Sequence, residues 1–308
     1  MKFNKDHVSF GSHETFPLRY SWLTKGFQSI VKYPEILNSE EATIELGVGK
    51  NMVNSIGFWL QASKLIKKSK NGVHPTEIGN LIFDVKNGLD PFLEDEATIW
   101  LIHWLISTNP EIATAWFWFF NRFHKPEFSI EESALSLIEF ANQSIHSKYA
   151  STTLKGDIAI LLRMYSRSRG NTRTSLEDAL DSPLSLLRLI SQAPGGRNYF
   201  SYPEERFDIP LSIFGFAVLQ LLENLEIKTI PIMELMYSKT EFPSVGAVFR
   251  ITENSLISKI EKLAEQNSDI LAIRETAGIH QVYLLKNVDP LYILENHYKN
   301  IDSYKKVA

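Results

Sequence analysis

Residues 36–83, ILNSEEATIELGVGKNMVNSIGFWLQASKLIKKSKNGVHPTEIGNLIF, decide the fold. A short helix is expected from Ser39, whose hydroxyl can cap the backbone N–H groups that follow, with Glu40 and Glu41 in the first turn. Leu46 and Gly47 end it, since glycine has no Cβ to clash in a sharp turn. A second helix follows over about 50–63, where Val53, Ile56 and Leu60 recur at three- and four-residue steps and make one face apolar. Residues 65–68 read as a strand, Asn71-Gly72 as a hairpin turn, and Val73 begins the return strand. Pro75-Thr76 opens a closing helix that carries Ile78, Leu81, Ile82 and Phe83. Helix, glycine turn, helix, hairpin and helix in that order describe a winged helix-turn-helix.

The charge pattern gives this unit a use. Its basic residues between 46 and 76 are Lys50, Lys64, Lys67, Lys68 and Lys70, and no acid lies among them. The whole chain carries a formal net charge of -4. A basic second helix and hairpin in an acidic chain form a local footprint for phosphates. Val53, Ile56 and Leu60 set the inward face, so Lys50, Asn51, Asn54 and Ser55 are expected outside. With Lys67, Lys68 and Lys70 beside the hairpin tip, these are the expected DNA-binding residues. The alternative is a solvated lysine face on a helix that packs against another protein. DNA contact is preferred because the charge sits where a groove reader needs it.

At 308 residues with 44% hydrophobic side chains, the chain has material for two or three cores and too much for disorder. Boundaries are expected near 1–88, 89–170 and 171–308. Cysteine is absent, which excludes disulfides, thiolate metal sites and cysteine catalysis and agrees with a reducing cytoplasm. The N-terminus MKFNKDHVSFGSHETF lacks the apolar run of a secretory signal. The longest apolar stretch, 99–106, is broken by His103 and falls far short of the roughly 20 residues of a membrane span.

The opening segment leads into a helix with Leu23, Phe27, Ile30 and Val31 on one face, ended by Pro34. In the middle, TIWLIHWLIST and EIATAWFWFFNRF carry Trp100, Trp104, Trp116 and Trp118. Aromatics can stack nucleobases. Here they are interleaved with Leu, Ile and Ala rather than Lys and Arg, so two helices packed around an aromatic core are expected. Further helices are expected at 129–148, 151–166 and 175–190. RMYSRSRGNTRTS, with Arg163, Arg167, Arg169 and Arg173, is a second basic feature. It reads equally as a phosphate-gripping loop through Arg167 and Arg169 or as a solvated linker.

APGGRNYFSYPEERFDIP is a loop able to hold a short hairpin, and LSIFGFAVLQLLENL a buried helix. TENSLISKIEKLAEQN is a helix capped by Thr252, followed by a hairpin through DILAIRET, Ala277-Gly278 and IHQVYLLK. This repeats the second half of a winged helix. Glu253, Glu261 and Glu265 face Lys259 and Lys262 in its helix, so protein contact suits it better than DNA.

Three tempting chemistries are weak. Gly47-Val48-Gly49-Lys50 lacks the preceding Gly and the following Ser or Thr of a phosphate-binding loop, because those positions hold Ile44 and Asn51. Glu226-Ile227-Lys228 has a nuclease-like form with Asp208 upstream, but it ends an apolar helix and no strand is evident to align a metal. His13, Glu14 and Arg19 form a candidate polar site that could bind an anion or assist proton transfer. The alternative is structural, with Phe16 in the core and the three polar groups satisfying one another.

Phe10-Gly11-Ser12-His13-Glu14-Thr15-Phe16, Arg19, Trp22, the run 46–53, Ser55-Ile56 and Trp59 resemble the bacterial family named domain of unknown function 4007. Gly11 and Ser12 stand in changed order relative to its usual Phe-Ser-Gly-His-Glu-Thr-Phe. Gly246, Phe249, Glu253, Leu256, Ala277-Gly278 and Gln281 resemble its C-terminal pattern. The resemblance implies a companion of sulfur-transfer and phosphorothioate DNA-modification genes in defence clusters. It assigns no reaction.

The expectation is therefore a mainly α protein with small β-hairpins: an N-terminal winged helix-turn-helix, a helical middle and a C-terminal winged-helix-like region. It would act in the cytoplasm as a DNA-binding accessory or regulatory subunit of a DNA-modification or defence system. Its partners would be double-stranded DNA and the proteins of that system, with no membrane, cofactor, metal or assigned catalytic residue. The rivals are an interaction scaffold and an enzyme with its site near His13 and Glu14.

Overall fold

The computed structural model describes residues 1–70, 72–166, 182–237, 241–276 and 279–305, the side chains of residues 276 and 300–305 excepted. The chain forms two compact units, residues 4–202 and residues 1–3 with 203–308. Both are helical with small antiparallel sheets.

The first unit opens with α1 (Tyr20–Lys32), α2 (Ala42–Leu46) and α3 (Lys50–Ala62). An antiparallel hairpin of β1 (Ile66–Ser69) and β2 (Gly72–Pro75) follows, then α4 (Glu77–Phe83). Leu23, Phe27 and Ile30 of α1 and Val53, Ile56 and Leu60 of α3 are buried, as their spacing requires. Gly47 closes α2 with φ 67, a left-handed conformation in which a Cβ would be strained. Thr76 caps α4 by accepting from Gly79 N–H at 3.1 Å. Gly79 lets that helix approach the strand, because a Cβ there would stand 2.2 Å from the Leu65 carbonyl oxygen.

The beginning of α2 differs from expectation. Ser39 does not cap it: its hydroxyl donates to the Ile36 carbonyl at 3.0 Å, and the helix starts at Ala42. A serine hydroxyl can serve either side of a turn. Here the buried Ile36 pulls a 3-10 turn, Ile36–Asn38, against the core and takes the hydroxyl with it.

Among the described residues four further helices build the unit's core: α5 (Glu96–Ser107), α6 (Thr114–Asn121), α7 (Ile130–Ser144) and α8 (Ser151–Tyr165). Asp90 is buried and its carboxylate accepts from the N–H groups of Glu94 and Asp95, which fixes the entry to α5. Trp100, Trp104, Trp116 and Trp118 are all buried, so the aromatic cluster is core. His103, the break in the apolar run, is satisfied inside it through Nδ1 and the Tyr165 hydroxyl at 2.8 Å. Burial pushes that phenol's pKa well above its usual value.

Strands β3 (Glu127–Ser129), β4 (Ser191–Gln192) and β5 (Asn198–Phe200) pair antiparallel in the order β3-β5-β4. Of the expected 175–190 helix, residues 175–181 lie outside the described residues. Over its remainder a 3-10 helix, Pro183–Leu187, takes its place and ends at Arg188 with φ 51. Leu184 and Leu187 are three apart and share a face in a 3-10 turn as well as in an α-helix, so their spacing could not separate the two.

The second unit holds α9 (Leu211–Leu225), β6 (Thr229–Pro231), α10 (Ile232–Met236), α11 (Val245–Phe249), α12 (Glu253–Gln266), β7 (Leu271–Thr276), β8 (Ile279–Leu284) and α13 (Leu291–Lys305). Thr252 caps α12, accepting from Ser255 N–H at 3.3 Å. The expected hairpin is present, and β6 joins it in the order β6-β8-β7. So a strand does follow Glu226-Ile227-Lys228, where none was expected. Three residues are too few to show a two-residue period. Among the described residues, no group of three or more acids or histidines is placed to hold a metal. No described helix is long and apolar enough to cross a membrane.

The expected boundary at 88 falls inside one unit. Asn109 Nδ2 donates to the carbonyls of Gln61 and Ala62, both at 3.0 Å. The Lys64 ammonium donates to the Thr108 carbonyl at 3.0 Å and to its hydroxyl at 3.2 Å. Lys64 is thus removed from the basic face on which its sequence position places it. Burial lowers its pKa from 10.5 to about 7, against the opposing pull of Glu111.

Between about 7 and 10.5 the unfolded chain holds this proton and the folded chain does not, so Lys64 makes stability rise with pH across that window. Below about 7 both states hold it and the contribution is flat. The stability of the wild type relative to Lys64→Met should therefore climb from pH 7 to pH 10 in urea unfolding and stay level below. A difference independent of pH would show that the ammonium remains hydrated.

Candidate nucleic-acid interface

The exposed start of α3 is built by the turn before it. Gly47 and Gly49 bring the chain round, and Lys50 begins the helix with its side chain in solvent. Asn54 lies one turn further on the same face, with Asn51 beside it, and both are exposed. Lys67, Lys68 and Lys70 are exposed on or next to β1. None of these four lysines has an ion-pair partner among the described residues. The cross-strand pairs Lys67 with His74 and Lys68 with Val73 hold the hairpin in register up to Ser69 and Gly72. Gly72 adopts φ 107, and a Cβ there would meet the Glu35 carboxylate at 2.6 Å. The turn residue Asn71 lies outside the described residues.

Beside α3 runs a groove of about 480 Å³ lined by Asn38, Glu40, Thr43, Lys50, Val53 and Asn54 among others. Its walls mix polar groups with the buried edge of the helix. Acids lie beside this basic surface: Glu35 stands against Gly72, Glu40 lines the groove with Lys50, and Glu14 meets Asn54.

Ser55, expected on the exposed face, is fully buried. Its hydroxyl donates to the Phe16 carbonyl at 3.4 Å. On a helix of 3.6 residues per turn, Ser55 shares a side with Trp59 and Ala62. Both are fully buried, so α3 has a second inward side that Val53, Ile56 and Leu60 do not reveal.

That second side is covered by the segment before α1. Trp59 Nε1 donates to the Phe16 carbonyl at 3.1 Å. His13 is 2% exposed, with its ring stacked on Trp59 at 6.3 Å and edge-on to Trp116 at 5.8 Å. Thr15 N–H donates to His13 Nδ1 at 3.1 Å, so the ring proton sits on Nε2 and is donated to Asp157 Oδ1 at 3.0 Å. The same oxygen accepts Gly11 N–H at 2.9 Å. Burial raises the Asp157 pKa, and the hydrogen bond from His13 opposes that rise.

Both imidazole nitrogens are therefore engaged and the ring is enclosed. His13, Glu14 and Arg19 do not gather into one polar site. His13 pairs with Asp157, Arg19 lies over the Trp22 ring at 5.3 Å, and exposed Glu14 accepts from Asn54 Nδ2 at 3.4 Å. Nor do the three satisfy one another, as the structural alternative supposed. Phe16, expected in the core, is half-buried. His13 ties the opening segment to α8, and Asp157 is the partner that sequence reasoning missed. The two residues are 144 positions apart, and an aspartate in an apolar helical run is the only hint that one was needed. Arg167 and Arg169 lie outside the described residues.

Two solved structures are similar to this chain. One is described as an SspB crystal structure, at 25% identity and a TM-score of 0.84, and the other as a magnesium ion-bound SspB crystal structure, at 25% and 0.85. Each alignment covers 97% of this chain and 90% of the other. No curated protein matches. The model of a family described as a protein of unknown function (DUF4007) matches residues 10–298, nearly the whole length, and the chain belongs to that family.

Proposed function

We propose that this protein binds double-stranded DNA through a winged helix-turn-helix at 36–83, as an accessory or regulatory subunit of a DNA-modification or defence system in the cytoplasm. The observation that carries the reading is the shared exposure of Lys50, Asn51 and Asn54 on α3 and of Lys67, Lys68 and Lys70 on the hairpin, with no ion pair to any of these lysines among the described residues. A second helix entering the major groove needs polar groups at its N-terminal turn, and a wing needs cations beside the backbone. The family's resemblance to companions of phosphorothioate modification genes supports the choice of system.

The second unit supports a protein partner. We read its order of α9, β6, α10, α11, α12, β7 and β8, with sheet order β6-β8-β7, as winged-helix-like. Glu253, Glu261 and Glu265 are exposed on α12, where phosphate would be repelled. A basic surface on a companion subunit suits it.

The test is binding of the purified protein to a duplex across a salt series, alone and with neighbouring gene products, with and without magnesium. Affinity should fall steeply with salt, because each neutralised phosphate releases counterions. Absence of binding at low salt under all conditions would leave the scaffold reading in its place.

A further inference from the structure

We infer that Glu14 is a base-discriminating residue of this DNA-reading face, where it accepts a hydrogen bond from a base amino group, that of cytosine above all. The inference rests on the DNA-binding reading above. It starts from backbone strain. Glu14 and Thr15 have φ of 51 and 64, a left-handed pair in which neither residue is glycine. Such a conformation costs free energy and persists only where the surroundings over-determine it.

Those surroundings are on either side of Glu14. His13 is locked to Asp157, Phe16 N–H donates to the His13 carbonyl at 2.9 Å, and the Phe16 carbonyl receives Trp59 Nε1. The buried flanks hold the turn, and the turn carries one exposed carboxylate onto α3. There Glu14 Oε1 accepts from Asn54 Nδ2, and no other polar partner or cation pairs with it among the described residues. Folding gains little from an exposed carboxylate with one long hydrogen bond.

A carboxylate here is repelled by phosphate and can only accept hydrogen bonds. In the major groove the donors are the N4 amine of cytosine and the N6 amine of adenine, and acidic side chains pair with the first. Asn54 gives one N–H to Glu14 and keeps the other N–H and its carbonyl oxygen, the two groups by which an asparagine reads adenine. Glu14 therefore both reads a base and fixes the amide plane of Asn54. It also opposes binding that involves phosphates alone, which would make the face selective.

The experiment is selection from a pool of duplexes with a randomised core, carried out with wild type, Glu14→Gln and Glu14→Ala. The wild type should enrich a cytosine next to the position read by Asn54. Both variants should lose that preference by roughly five- to tenfold, the order expected of one direct base contact. Their affinity for unselected duplex should rise, and their thermal midpoints should match the wild type. An unchanged preference in Glu14→Gln and Glu14→Ala would overturn the inference and leave DNA binding intact, as would a wild type that binds duplex with no base preference. Failure of the wild type to bind duplex at low salt would overturn both.

Discussion

Replacing Trp59 by Ala should destabilise the 4–202 unit by about 3–5 kcal/mol, the range for removing a large aromatic from a packed core. The side chain is fully buried, with its ring 4.8 Å from Phe58 and 5.1 Å from Trp116, both edge-on. It also stacks on His13 and donates to the Phe16 carbonyl. Its loss would open a cavity at the point where α3, α6 and the opening segment meet. Trp59→Phe separates the terms, because packing is largely kept and the hydrogen bond goes. That leaves the Phe16 carbonyl with the longer bond from Ser55, for a loss of about 1–2 kcal/mol. Denaturant unfolding followed by tryptophan fluorescence is the measurement. All six tryptophans fall within 4–202, so the signal reports this unit alone. A cost below about 1 kcal/mol for Trp59→Ala would mean that the aromatic cluster does not hold the unit together.

Replacing Lys67, Lys68 and Lys70 together by Ala should weaken duplex binding and flatten its salt dependence without unfolding the protein. Removing one lysine–phosphate interaction should reduce the log–log salt slope by roughly 0.9, so removing all three would reduce it by about 2.7. The three lysines are exposed and make no ion pair among the described residues, so the thermal midpoint should hold. Lys64→Met is the internal contrast. Its ammonium is held by Thr108, and its loss should alter stability while leaving the salt slope unchanged. An unchanged slope in the triple variant would show that the hairpin does not meet phosphate.

The sequence by itself determined the elements whose signals are local. Gly47 ends α2 because a left-handed turn residue is needed there, and Thr76 and Thr252 cap the helices they precede. The three-and-four spacing in α3 and α12 placed one inward side of each correctly, and interleaving with Leu and Ile marked the tryptophans of α5 and α6 as core. The exposure of Lys50, Asn51 and Asn54 followed from the same spacing, and that of Lys67, Lys68 and Lys70 from their charge and their place beside the hairpin tip. The family was legible too, through the resemblance carried by Phe10–Phe16 and the residues that match with it, and its model spans residues 10–298.

Tertiary structure decided whatever depends on residues far apart in the chain. Ser55 is buried because a segment 39 positions earlier covers α3, on a side that the spacing of Val53, Ile56 and Leu60 does not reveal. His13 is a buried strut because Asp157 meets it across 144 positions. Lys64 leaves the basic face because the end of α5 offers it a carbonyl and a hydroxyl, which an isolated charge pattern cannot show. Strands β3 and β6 exist through their partners, being too short to announce themselves by alternation. Glu14 shows the division within one residue. The sequence marked it as polar and noteworthy beside His13, but only the packed flanks of its turn put the carboxylate against Asn54 rather than against His13 or Arg19.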